Sequence, residues 1–395
     1  MTTADKKPGI DKPEFDGEWV RLGDVVLASK ERNHDLTCEY VYSVTNSRGF
    51  TPSTEYFSKE VFSDDLKAYR VVRRRMIAYN PSRINVGSVA LQDELPEVVV
   101  SPLYVVLSVD EKRLLPEYLL AFLKSGPGLA QIAFRSTGTV RNNLKFETLC
   151  KLEMQLPSVK VQRERVNLLA EIAKQAKHLG KLRTSLDDLV KSRFVEMFGD
   201  ERNYTKLGDQ CSKITKGTTP TTVGFQFQNE GVNFIKIESI GDNGQILLGK
   251  MAHIGESCHA ALLRSRLEAG DLLFSIAGAI GRTAIVPDAV LPANTNQALA
   301  IIRLRSDAPL DKTYLRFALS SDAIRMASAK TKRGIAQINL SLKDVSDFRV
   351  PLPSLALQRQ FADFVAQVDK LGFDVQQQIE KLEILKQSLM QEYFG

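Results

Sequence analysis

The side chains best suited to chemistry in this 395-residue chain are arginines, asparagines, lysines and short hydroxyls set in turn-rich stretches. Arg32, Asn33, Arg48, Asn80, Arg83 and Asn85 lie in or beside one such stretch, and Arg73-Arg74-Arg75 adds a dense basic run. Arg and Asn can present two hydrogen-bonding groups at once to the edges of guanine and adenine. In a second stretch Lys213, Lys216, Thr218 and Thr219 surround the turn Lys216-Gly-Thr-Thr-Pro220, and Arg282, Thr283, Asn294, Asn296 and Gln297 follow it. Arg135, Thr137 and Arg141 precede one long apolar-periodic segment, as Lys330, Lys332 and Arg333 precede another. Basic positions repeated in this way suit phosphate oxygens, which position a protein on a duplex without reading it. For any one of these residues an ordinary turn or surface role is an equal reading. The run at 73–75, for example, also fits a solvated strand edge.

Catalytic patterns are missing. Gly278-Ala-Ile-Gly-Arg-Thr283 comes nearest to a phosphate-binding loop, but it has Arg282 where that loop needs Lys and Ile276 where it needs its first Gly. It also runs into a strand-like Ala-Ile-Val instead of a helix N-terminus. No Asp/Asn-Pro-Pro-aromatic methyltransferase motif is present. His253, Cys258 and His259 are close in sequence at a spacing that fits no zinc pattern. The cysteines (Cys38, Cys150, Cys211, Cys258) are scattered, so reduced, inert thiols are expected. The reading is a chain without catalysis of its own and without a metal.

The formal net charge is +6 and the pI about 9.0, which is compatible with a polyanionic partner. The length allows two or three domains. No apolar run of membrane length occurs, and residues 1–14 read as a flexible polar extension, so a cytoplasmic protein is expected.

The elements that must position these side chains occur twice. Trp19-Val-Arg-Leu-Gly-Asp24 matches Tyr204-Thr-Lys-Leu-Gly-Asp209. From Tyr118 and Tyr314 onward the two copies run at a constant offset. Leu156-Pro-Ser158 and Leu352-Pro-Ser354 each lead to a Gln-Arg pair, and both copies close on Glu-x-Phe-Gly. The stretches 29–67 and 215–266 barely resemble each other, as expected of a shared frame that carries two different surfaces. Strand-like runs such as Val98-Val-Val and Ala298-Leu-Ala-Ile-Ile make each lobe α+β.

Two long helices are expected. Leu168, Ile172, Leu179, Leu182, Leu186 and Leu189 alternate three and four apart, with one gap after Ile172. So, with one gap, do Phe364, Val368, Leu371, Val375, Leu382, Leu385 and Leu389, giving a heptad seam in each copy. Gln175 and Gln378 interrupt the seams. A helix from Val161 to Phe194 would run about 50 Å. The expected architecture is two pseudo-repeated recognition domains separated by two long antiparallel helices in an intramolecular coiled coil, a coil between chains being the alternative. The boundaries are 1–155 for the first domain, 156–200 for the central helix, 201–351 for the second domain and 352–395 for the last helix.

At this point the sequence resembles the specificity subunits of type I restriction-modification enzymes, from about Trp19 to Gly395. The elements that carry the resemblance are the two Leu-Gly-Asp openings, Lys216-Gly-Thr-Thr-Pro220, Gly281-Arg-Thr-Ala284, Asn294-Thr-Asn-Gln297, Tyr79-Asn-Pro-Ser-Arg-Ile-Asn-Val-Gly-Ser88 and the two Leu-Pro-x-x-x-x-Gln-Arg segments, in an order that repeats around the long helices. The resemblance implies two target recognition domains that each read one half of a bipartite double-stranded DNA site. It implies helices that set the spacer and dock two copies of a methyltransferase subunit, with restriction/translocase subunits as further partners. S-adenosylmethionine, ATP and Mg would belong to those partners. The first lobe lacks a Gly-Thr-x-Pro turn after its Leu-Gly-Asp, which suggests unlike half-sites. Two other functions stand beside this one. A coiled-coil interaction scaffold without DNA recognition predicts no salt-dependent affinity for duplex DNA. A nuclease or methyltransferase with an unrecognised site predicts activity in the isolated chain.

Overall fold

The computed structural model describes residues 17–46, 48–56, 65–136, 143–321 and 339–395. The expected extension at 1–14 and the candidates Thr137, Arg141, Lys330, Lys332 and Arg333 lie outside the described residues. The chain divides into two compact units, one of residues 1–179 with 377–395 and one of residues 180–376.

In the first unit the strands are β1 (Glu18–Arg21), β2 (Val26–Ser29), β3 (Tyr42–Thr45), β4 (Gly49–Pro52), β5 (Arg70–Arg73), β6 (Ile77–Tyr79), β7 (Val89–Leu91), β8 (Glu97–Val100), β9 (Val105–Val109) and β10 (Glu153–Leu156). An antiparallel sheet in the order β2-β9-β6-β7 forms the frame, and β1 pairs separately with β10. Two further pairs, β3-β4 and β5-β8, are added to it. The core gathers Leu22, Ile77, Tyr79, Leu107, Tyr118 and Phe122.

The second unit holds β11 (Tyr204–Lys206), β12 (Cys211–Lys216), β13 (Phe227–Gln228), β14 (Val232–Ile235), β15 (Ala252–Ile254), β16 (Leu272–Ser275), β17 (Thr283–Ile285), β18 (Ala293–Thr295), β19 (Leu299–Leu304) and β20 (Arg349–Pro351). The frame returns as β12-β19-β16-β17, with β11 paired to β20. The added part differs: it is a four-stranded sheet in the order β13-β15-β14-β18, and its β14-β18 pair is parallel. Each lobe thus mixes strands and helices on one duplicated plan, and the inserts diverge in topology as well as in sequence.

The repeated motifs have local physical reasons. In each Leu-Gly-Asp the Leu is fully buried and its N–H donates across to the far end of the lobe, Leu22 to the Leu152 carbonyl and Leu207 to that of Phe348. A Cβ on Gly23 would lie 3.0 Å from Cys150 Cβ, and one on Gly208 only 2.1 Å from Ser346 Oγ. In Leu-Pro-Ser the hydroxyls of Ser158 and Ser354 accept from the N–H of Val161 and of Leu357, both at 3.4 Å, and so cap the helices that follow.

Those helices are the central helix (Val159–Phe198) and the C-terminal helix (Leu355–Phe394), each of 40 residues and so about 60 Å long. In the first unit Val166 and Leu169 of the central helix share a core with Leu389, Met390, Tyr393 and Phe394 of the C-terminal helix. In the second unit Val190, Phe194 and Phe198 share one with Phe361, Val365 and Val368. In both units the start of one helix meets the end of the other, so the pair is antiparallel and belongs to one chain.

The expected seam has the right period and partly the wrong phase. Ile172, Val368 and Val375 are buried, and Leu179, Leu186, Phe364, Leu382 and Leu389 are half-buried. Leu168, Leu182, Leu189, Leu371 and Leu385 instead remain 41–55% exposed. The next residue on each helix faces inward at those places: Leu169 and Val190 buried, Arg183 and Lys386 half-buried, Gly372 buried. Leucine occupies two heptad positions on these helices, so period alone does not say which one the partner covers. The interrupting glutamines Gln175 and Gln378 are also exposed. At those inward positions the polar groups are Arg183, which donates to the Gly372 carbonyl at 3.2 Å, and Lys386.

Candidate nucleic-acid interface

The turn at 216–220 is the best-defined feature of the second unit's polar face. β12 delivers Lys216 at its end, and Gly217 passes close beneath the end of β18. A Cβ on Gly217 would meet Thr295 O at 2.0 Å and Asn296 O at 2.4 Å, so only glycine allows this approach. Thr218 N–H donates to the Thr295 carbonyl at 3.1 Å. Thr219 N–H donates to Gln297 Oε1 at 3.1 Å, and the Thr219 hydroxyl donates to the same oxygen. The structure therefore brings together Lys216, Thr218, Thr219, Asn296 and Gln297, which sequence had only placed in order. Asn296 Oδ1 accepts from Ala298 N–H at 3.1 Å and shapes the loop.

Other candidates have work inside the fold. Asn294 is fully buried: its amide donates to the Leu262 carbonyl and to Ser265 Oγ, and its oxygen meets His259 Nδ1. Arg282 donates to the Ile240 carbonyl at 3.0 Å and pairs with Asp242 at 3.0 Å. Thr283 is buried against Ser320 Oγ at 2.7 Å. On the frame sheet Lys213 lies opposite Arg303, which is paired with the buried Asp271 at 2.7 Å. Lys213 and Lys216 have no carboxylate partner among the described residues.

In the first unit the basic run is neutralised. Arg73 pairs with Glu31 at 2.6 Å and Glu97 at 3.3 Å, and Arg74 pairs with Asp93 at 3.3 Å. Arg75 is held between Glu111 and Glu117. The Arg73 guanidinium in turn holds the Glu31 carboxyl below its ordinary range through their hydrogen bond. Asn33 is buried, with its amide donating to the Cys38 carbonyl at 2.8 Å and accepting from Cys38 N–H at 3.2 Å. Asn80 Oδ1 accepts from Ser82 N–H at 3.0 Å and closes a turn. Arg135 is half-buried in the last turn of the helix Gly126–Arg135. Arg32, Arg48, Arg83 and Asn85 are exposed. Gly87, at φ 87°, sits where a Cβ would be 2.8 Å from Asn46 Oδ1, so the turn that carries Arg83 and Asn85 lies against Asn46.

One exposed cation escaped the sequence reading. Arg264, in the 3-10 turn Leu263–Ser265, reaches Thr218 Oγ1 through Nη2 at 3.3 Å. It lies in the stretch without a counterpart in the first lobe, so the repeat gave no signal for it.

The family model for the type I restriction modification DNA specificity domain matches residues 200–384. The MjaVIII specificity subunit of Methanocaldococcus jannaschii is 23% identical over 97% of this chain and 92% of its own length. The matched stretch is a type I restriction-modification specificity domain, and nearly the whole chain is similar to a specificity subunit. The EcoBI specificity subunit of Escherichia coli shares 28% identity with this chain over 170 residues, 42% of this chain and 35% of the relative. A chain solved in work on complex assembly and conformational transition of the type I R-M system superposes with a TM-score of 0.60 at 18% identity, covering 97% of this chain and 98% of that one. The type I S subunit from M. genitalium gives 0.52 at 14% identity, with 97% and 98% covered. At these identities the structures speak for the fold. Among the described residues no helix is long and apolar enough to cross a membrane.

Proposed function

We propose that this chain is a type I specificity subunit that reads a bipartite double-stranded DNA target, one half-site per lobe, with the domain boundaries 1–155 and 201–351 for the two readers. The observation that carries this reading is the contrast between frame and insert. The four-stranded frame is the same in both lobes, while the added strands form two separate pairs in one and a mixed four-stranded sheet in the other. Equal frames carrying unequal surfaces suit two unlike half-sites.

The helices at 156–200 and 352–395 act in this reading as the spacer and as the dock for two methyltransferase subunits. The outward leucines support the second role. Leu182, Leu189 and Leu371 in the second unit, and Leu168 and Leu385 in the first, are large apolar side chains on the helix pair that their own unit leaves about half exposed. The chain is non-catalytic and cytoplasmic in this proposal. Methyl transfer with S-adenosylmethionine, and any ATP- and Mg-dependent cleavage by restriction/translocase subunits, reside in the partners.

The test is methylation mapping with the chain co-expressed with its modification subunits. A bipartite methylated motif is expected, together with salt-dependent duplex binding and no methyl transfer by the purified chain alone. Seven residues inserted into each helix keep the three-four alternation, so the spacer should lengthen by about three base pairs with unchanged half-sites. A single contiguous motif, or a spacer indifferent to the inserts, overturns the proposal.

A further inference from the structure

We infer that Arg264 is a base-reading residue of the second lobe and that it recognises a guanine in the major groove. This inference rests on the DNA-reading function proposed above. Asn294, fully buried on β18, donates to Leu262 O at 3.1 Å and to Ser265 Oγ at 2.9 Å. Those two residues bracket Leu263-Arg264. The segment after the turn is fixed as well, because Leu267 N–H donates to the Ala293 carbonyl at 3.0 Å. The buried amide thus ties down both ends of the turn. Between them Leu263 is 64% exposed and Arg264 points outward. A tip anchored at both ends loses little freedom when it meets a ligand.

The neighbouring arginine shows the contrast. Arg266 folds back and donates to the carbonyls of His259 at 3.1 Å and Ala260 at 3.3 Å, a structural role. Arg264 makes one long contact, from Nη2 to Thr218 Oγ1, and has no carboxylate partner among the described residues. That contact aims the side chain toward the Lys216-to-Pro220 turn and leaves most of its planar donor set for a ligand. Thr218 is held in turn by its N–H bond to Thr295, and Thr219 by Gln297. Arg264, Thr218, Thr219 and Gln297 therefore form one connected polar edge built from three separated segments. A guanidinium presents paired donors that match guanine O6 and N7, and an ammonium does not. The exposed Leu263 beside it is apolar, which favours a groove floor over a phosphate ridge.

The test uses the full chain with its modification subunits and a library of duplexes randomised over both half-sites. Wild type should enrich a bipartite motif containing a guanine in the half-site of the second lobe. Arg264→Ala should lose a preference of roughly 5- to 150-fold for that guanine and leave every other position unchanged. Arg264→Lys keeps the charge and should lose the same preference. Thr218→Val, which removes the hydroxyl that aims the guanidinium, should weaken it at the same position. If Arg264→Ala weakens all sequences alike and lowers the salt slope by about one, Arg264 touches phosphate and the inference falls. It falls too if the variants match wild type. If wild type enriches no bipartite motif, the failure lies with the function proposed above.

Discussion

Gln162 and Gln358, one at the start of each long helix, make matching sets of hydrogen bonds. Gln162 Nε2 donates to the carbonyls of Arg113 at 2.7 Å and Pro157 at 2.8 Å, and Oε1 accepts from Leu115 N–H at 2.9 Å. Gln358 Nε2 donates to Pro309 at 3.0 Å and Pro353 at 2.9 Å, and Oε1 accepts from Asp311 N–H at 2.8 Å. Both side chains are fully buried. In each unit a glutamine fastens the first turn of a helix to the segment that leads into the lobe's own short helix.

Replacing Gln162 with Ala should therefore cost about 2–3 kcal/mol, because a buried N–H and buried carbonyls lose their partners together. Gln162→Glu should not rescue it, since a carboxylate accepts from Leu115 but cannot donate to Arg113 or Pro157. Urea denaturation of the three proteins checks this. Equal midpoints for wild type and Gln162→Ala would show that the clamp is idle.

The corrected seam makes a second expectation. Val190→Ala and Val365→Ala remove buried methyls and should each destabilise by about 2 kcal/mol. Leu182→Ala and Leu189→Ala, on the exposed face, should shift stability by no more than about 0.5 kcal/mol. The exposed pair should instead weaken association with modification subunits in a pull-down at fixed concentration. The reverse pattern would restore the seam first read from the sequence.

Two glycines should respond in opposite ways. Gly217→Ala forces a Cβ to 2.0 Å from Thr295 O, so the turn must open. Recognition of one half-site should fail in methylation mapping while the helical circular dichroism stays. Gly180 lies inside the central helix with nothing within 4 Å of a built Cβ. Gly180→Ala should stabilise by about 0.5–1 kcal/mol in thermal melts.

Burial pushes the Cys211 thiol up to about 12. Its folded value lies above the ordinary thiol value of 9.0, so its contribution to stability is constant below pH 9 and is lost as pH rises through 12. At pH 8.5 iodoacetamide should label Cys211 roughly a hundredfold or more slower in the folded chain than in urea. Peptide mapping by mass spectrometry measures the ratio. Comparable rates would place the thiol in water.

The duplicated frame was legible because the residues that hold it, such as Leu22 with Leu207 and Gln162 with Gln358, must recur wherever the frame recurs. The site was less legible. Asn33 and Asn294 have the composition of base readers, yet both amides are used inside the fold, Asn33 by the backbone of Cys38 and Asn294 by Leu262, Ser265 and His259, and residue type does not distinguish these uses. The arginines at 73–75 looked like a phosphate contact. The carboxylates that neutralise them come from Glu31, Asp93, Glu97, Glu111 and Glu117, which the fold gathers from distant segments. Arg264 had no repeat partner, so nothing in the chain marked it.

Arg183 over the Gly372 carbonyl has a consequence for accuracy. A wholly apolar pair of helices could slide by seven residues and still bury its surface. Sliding by that amount would bring Val365 or Ile379 under Arg183, where a branched side chain fills the space that glycine leaves, and where the guanidinium would lose its acceptor. The pair works as a notch and a pin that admit one alignment. If the helices gauge the distance between half-sites, a slip of seven residues would be an error of about three base pairs. The notch is what makes that error costly at assembly, before the subunit ever meets a duplex.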